Sequence, residues 1–191
     1  MTSLRWLIPT SIGPWQGAAA LGAALVPVLA PAATYGTAED VARRTFPGAT
    51  SVKEVLVMPT PAAAAALAAP GEAPRAQPMR TLEVRQDERF LGRVVVDAVI
   101  GKFEQIDYAV ALGPDGHIAA VDVLAYRESH GSEVRLPAWR NQFVGKGPDD
   151  ALKLGADIAN VSGATLSCTH LTDGIHRVVA WAARLPAAAR S

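Results

Sequence analysis

Near the C-terminus, Ser162-Gly163-Ala164-Thr165-Leu166-Ser167 gathers three hydroxyls and a glycine just ahead of Leu171, Ile175, Val178, Val179 and Ala182, which fall at helical spacing. A helix start leaves N–H groups without intrahelical partners and presents the positive end of the macrodipole, so a phosphate held there is physically sensible. Gly163 permits close backbone approach or a positive φ, and Ala164 adds no bulk beside it. The same residues also fit an ordinary Ser/Thr-rich helix cap. Gly174, further along the helix, costs about 1 kcal/mol relative to Ala in a helix interior, which predicts that something comes close to it.

Other reactive groups are sparse. Cys168 is the single cysteine, which excludes an intrachain disulfide and a site built of several thiolates, so it reads as a small buried hydrophobe. His170 and His176 are six apart and do not share a helical face as i, i+4 would, which makes them poor metal ligands and better cap or surface residues. No metal site is predicted. Redox chemistry would need a cofactor. The 191 residues carry 18 basic and 18 acidic side chains with no Lys/Arg-rich stretch, which argues against a nucleic-acid partner.

The elements that must position the hydroxyl-rich segment can be read along the chain. Arg5 precedes an apolar run from Gly17 to Leu29 and the small-residue stretch Ala30-Pro31-Ala32-Ala33, the layout of a signal peptide over residues 1–33. Residues 34–58 hold a helix starting at Thr37, with Glu39 and Asp40 in its first turn and Pro47-Gly48 beyond its end, followed by a strand over Ser51–Met58. Residues 59–80 are Ala/Pro-rich without periodicity and read as a mobile insertion or linker. Residues 81–186 form the main domain, beginning with strands at Leu82–Arg85 and Arg93–Ile100. Ile106–Leu112 and Ile118–Tyr126 then make a hairpin about Gly113-Pro114-Asp115-Gly116. Short helical or irregular pieces over 139–154 precede a C-terminal helix that stops before Pro186. The class is α+β: a small antiparallel sheet with flanking helices.

Val161-Ser162-Gly163-Ala164-Thr165-Leu166-Ser167 resembles the flavinylation motif of the FMN-binding domain family, the domain of subunits of the sodium-translocating NADH:quinone oxidoreductase and the Rnf complex. Tyr126-Arg127-Glu128-Ser129-His130-Gly131 resembles that family's Glu-x-x-Gly segment, with Trp139, Phe143, Gly145 and Lys146 following. Ile100-Gly101-Lys102-Phe103-Glu104 and the Asp115-Gly116 turn also look like the family, so the resemblance covers roughly Gly92 to Arg184. Two departures stand out. Ala159 occupies the place three residues before Ser162 where the family often has an acid, with Asp157 two residues earlier. Ser129 and His130 stand where the electron-transport subunits commonly have Thr and Pro.

The resemblance implies FMN joined through its phosphate to Thr165, at the N-terminus of the C-terminal helix. It further implies cofactor contacts at Ser162, Gly163, Ala164, Leu166, Ser167, Glu128 and Gly131. The implied partners are an FMN transferase, which makes the bond, and a membrane redox protein as electron donor or acceptor. The implied location is the periplasm or the outer face of the cytoplasmic membrane. On this reading the chain is an electron carrier more than a self-sufficient enzyme. The alternatives are a non-covalent module for FMN or another phosphate ligand, and a structural domain that has lost the flavin.

Overall fold

The structure is a computed structural model and describes residues 33–68, 74 and 76–185. The segment read as a signal peptide lies outside the described residues, apart from Ala33.

Among the described residues six strands form one antiparallel sheet in the order β1-β6-β5-β4-β3-β2. They are β1 (Ala33–Thr34), β2 (Ser51–Val57), β3 (Met79–Gln86), β4 (Arg89–Ile100), β5 (Gln105–Leu112) and β6 (Ile118–Tyr126). From β2 to β6 the order is that of a meander, and β1 pairs the far edge of β6, Ala33 opposite Tyr126. The α+β reading is thus correct. The β5–β6 hairpin turns where expected: Gly116 has φ +85°, and Asp115 Oδ1 accepts from the His117 N–H at 3.1 Å.

Strand alternation divides the apolar side chains between the two faces. On one face Leu82, Val84, Val94, Ala109, Ala111 and Leu124 pack with Val41 and Ala42 of helix α1 (Ala38–Thr45). Thr37 starts α1 with a capping box: its Oγ1 accepts from the Asp40 N–H at 3.1 Å, and Asp40 Oδ2 accepts from the Thr37 N–H at 3.0 Å. On the other face Val95, Val99, Tyr108, Val110 and Val123 pack with Leu171, Ile175 and Val178 of the C-terminal helix, Thr165–Ala183.

The Ala/Pro-rich stretch needs correction as a linker. Pro61–Leu67 is a helix, α2, in which Ala63, Ala64 and Leu67 are buried and which packs on the C-terminal helix. Thr60 caps it and Pro61 opens it. A run of alanines hides periodicity because every position looks alike, yet Ala is the best helix former and its small side chain lets two helices come close. After α2, a single helical turn α3 (Pro137–Arg140) leads towards the C-terminal helix, hereafter α4.

Gly174 of α4 is explained by the sheet. A Cβ there would lie 2.5 Å from Tyr108 Oη and 2.8 Å from Val99 Cγ1, so the close approach is internal. Tyr108 Oη is held in turn by Asp97 Oδ2 at 2.8 Å. Gly174→Ala gains about 1 kcal/mol of helix propensity, but overpacking costs about 1–3 kcal/mol. A lower midpoint in urea unfolding is the expected result, and an unchanged or raised midpoint would show that α4 shifts freely.

Candidate functional site

The first turn of α4 lacks the cap that its sequence suggested. Ala164 is the N-cap residue, and no side chain caps it, so Ser162, Thr165 and Ser167 do not act as an ordinary hydroxyl cap. No acid lies in the first turn. The result is an N-terminus with open N–H groups and an uncompensated positive end, suited to an anion. Gly163, at φ +85°, turns the chain into this helix, and a Cβ there would meet nothing within 4 Å, so its requirement is conformational.

Thr165 is exposed, and its Oγ1 accepts from Asn160 Nδ2 at 3.0 Å. Its backbone carbonyl receives Thr169 Oγ1 at 2.9 Å, which fixes the first turn. Ser167 is buried and sits at 3.2 Å from Tyr126 Oη. Tyr126 Oη also donates to the His130 carbonyl at 2.5 Å, so Ser167 is the donor of the pair. Burial pushes the Tyr126 phenol up, which keeps its proton in place. This network ties the Glu-x-x-Gly segment to the start of α4.

Gly131 makes the same junction by packing. A Cβ on it would stand 2.9 Å from Tyr126 Oη and 3.2 Å from Ala164 Cβ. The two motifs read from sequence are therefore adjacent in space, and Gly131 lies behind the site's wall, against Ala164.

Glu128, just beyond the end of β6, reaches the tip of the β4–β5 hairpin with its side chain. Its Oε1 accepts from the N–H groups of Phe103 at 2.6 Å and Glu104 at 2.9 Å. Burial opposes its ionisation, but the backbone N–H groups of residues 102–104 and the Lys102 charge outweigh this and hold the carboxyl below the usual glutamate range. The stabilisation is therefore complete above that range and is lost as pH falls through the lowered value. Hydrogen exchange should show the Phe103 and Glu104 amides protected at neutral pH and deprotected both in acid and in Glu128→Ala. Equal exchange in wild type and variant at neutral pH would contradict the bond.

These parts enclose a cleft of about 500 Å³, inside the roughly 300–1,000 Å³ range of small-molecule sites. Gly163, Ala164, Thr165, Leu166 and Ser167 form one wall, and Lys102, Phe103, Glu128, Ser129 and His130 form the other. Of the residues singled out from sequence, Ser162 is exposed and stands outside this lining, as does Gly131. Lys102 and Phe103 were read from sequence only as part of the family-like segment Ile100–Glu104 and not as cofactor contacts, since a Lys-Phe pair at a hairpin tip carries no signal beyond turn position. Asn160 was missed because nothing local marks its reach to Thr165.

Asp157, the acid nearest before Ala159, is already engaged by its own neighbours. It accepts from the N–H groups of Leu152 and Lys153 and pairs with Lys146 Nζ at 3.1 Å. These contacts, the Lys153 N–H first, hold its carboxyl below the usual range. Ala159 itself is backbone-pinned, its N–H on Gln142 Oε1 at 2.8 Å and its carbonyl on Trp139 Nε1 at 2.9 Å. Cys168 is fully buried and burial pushes its thiol up, in keeping with an inert role. His170 Nδ1 lies 2.6 Å from the Ile100 carbonyl and 2.8 Å from that of Gly101; two acceptors make Nδ1 the protonated nitrogen.

An antiparallel sheet backed by a long helix whose uncapped N-terminus opens into a cleft defines a domain suited to a phosphate-bearing ligand. Residues 101–180 match the family model of the FMN-binding domain, which bears out the resemblance read from the two motifs. The chain is also similar to the crystal structure of Shewanella oneidensis NqrC, with 21% identity and a TM-score of 0.50, over 66% of this chain and 77% of that one. At this identity the likeness speaks for the fold. No curated protein matches the chain.

Proposed function

We propose that this chain is an exported flavoprotein that carries FMN on Thr165 through a phosphoester and relays electrons between a membrane redox protein and an acceptor. The observation that carries the reading is the placement of Thr165, whose exposed hydroxyl opens an uncapped helix and lines the cleft. The residues present fit the group. Open N–H groups of the first turn of α4 receive the phosphate, Lys102 supplies a cation, and Gly163, at φ +85°, makes the turn that opens the helix. FMN supplies the redox chemistry, and the protein supplies attachment, orientation and electrostatics.

Among the described residues the Thr165 hydroxyl is hydrogen-bonded by the Asn160 amide, a donor and not a base. Attachment therefore calls for a separate enzyme, and the family resemblance implies an FMN transferase using FAD and a divalent metal. The Thr165 Oγ1–phosphorus bond forms, the diphosphate linkage of FAD breaks, AMP leaves, and the hydroxyl proton goes to solvent. Thr165 is thus an acceptor of modification.

The test is intact mass, with in-gel flavin fluorescence after denaturation, on protein exported alongside a transferase. A mass raised by one FMN moiety with surviving fluorescence supports the carrier. Flavin released on denaturation selects the non-covalent module, and a colourless, unmodified protein selects the structural domain. Recovery from the periplasmic or membrane fraction checks the location in the same preparation.

A further inference from the structure

The hairpin tip Gly101–Glu104 is held from two sides yet turns its largest side chain outward. Gly101 N–H donates to the Glu104 carbonyl at 2.8 Å, closing the turn. Glu128 Oε1 takes the next two N–H groups, and His170 Nδ1 takes the Ile100 and Gly101 carbonyls. On this pinned backbone Phe103 is 74% exposed, and across the cleft Leu166 is 46% exposed. Lys102 Nζ stands 4.9 Å from the centre of the Phe103 ring.

An exposed aromatic on a loose loop needs no explanation, but here the backbone is fixed by four hydrogen bonds from side chains and the ring still lies open beside Thr165. The two apolar side chains and the cation make a surface for a flat aromatic ring that gains negative charge. We infer that Phe103, with Leu166 opposite, receives the isoalloxazine ring of the FMN attached at Thr165, and that Lys102 favours its reduced form. This rests on the carrier reading. Aromatic stacking supplies the contact, and a nearby cation stabilises an added negative charge more than it does the neutral ring. Glu128, already engaged with the backbone, opposes Lys102 in part.

The experiment uses full-length protein flavinylated by a transferase, its attachment confirmed by mass before any other reading. Absence of the FMN mass counts against the carrier reading itself and is thereby separate from the present inference. With flavin attached, Phe103→Trp should quench native flavin emission several-fold, because an indole in contact donates an electron to the excited ring, and emission should recover on denaturation. Phe103→Ser should raise the rate of quenching by iodide. Lys102→Gln should weaken the preference for the reduced form about tenfold, a fall in midpoint potential of about 30 mV for a two-electron couple. Native emission of Phe103→Trp equal to wild type, iodide quenching unchanged in Phe103→Ser, or a midpoint potential unmoved in Lys102→Gln would each overturn the assigned role of that residue.

Discussion

Thr165→Ala should abolish flavin that survives denaturation, while Thr165→Ser should retain it. The contrast follows from the site, since the bond needs a hydroxyl at the first residue of α4 and makes no use of the methyl group. Ser162 and Ser167 do not substitute. Ser162 lies outside the cleft lining, and the Ser167 hydroxyl is buried against Tyr126 Oη. The loss should come without unfolding, because Thr165 is exposed and a surface change of this kind stays within about 0.5 kcal/mol. Intact mass reads the first effect and thermal unfolding the second. Covalent flavin persisting in Thr165→Ala would move the attachment to another residue.

Gly131→Ala should be the most damaging single methyl at the site. Gly131 has φ +81°, where a side chain costs roughly 1–2 kcal/mol. The added Cβ would also press on Tyr126 Oη and on Ala164 Cα at 3.3 Å, a further cost of about 1–3 kcal/mol. The sum, about 2–5 kcal/mol, lowers Tm by roughly 4–20 °C in a domain of this size. The damage is not confined to stability. Relief requires the Glu-x-x-Gly segment to move off the first turn of α4, breaking the Tyr126 bridge between Ser167 and the His130 carbonyl. Lower flavin incorporation per folded molecule is expected as well. A variant with wild-type Tm and full incorporation would show that the two motifs do not depend on this contact.

The sequence by itself determined the local elements and singled out Thr165 as the proposed acceptor. Capping chemistry at Thr37, alternation through β4, β5 and β6, the Gly116 turn and the helical spacing after Thr165 are properties of neighbouring residues, and the structure shows each where it was read. The Ser-Gly-Ala-Thr and Glu-x-x-Gly segments were legible through their resemblance to the FMN-binding domain family, since local chemistry alone fits an ordinary helix cap equally well. Where composition concealed pattern, reading failed: the alanines of α2 carry no contrast between faces, and their burial depends on α4, about a hundred residues away. Tertiary structure alone decided what each site residue touches. It set Gly174 against Tyr108, Gly131 against Ala164, Glu128 on the backbone of the hairpin tip, and Phe103 in the open beside Thr165. These are contacts between chain segments tens of residues apart, fixed by sheet register and helix packing, and no spacing along the chain encodes them.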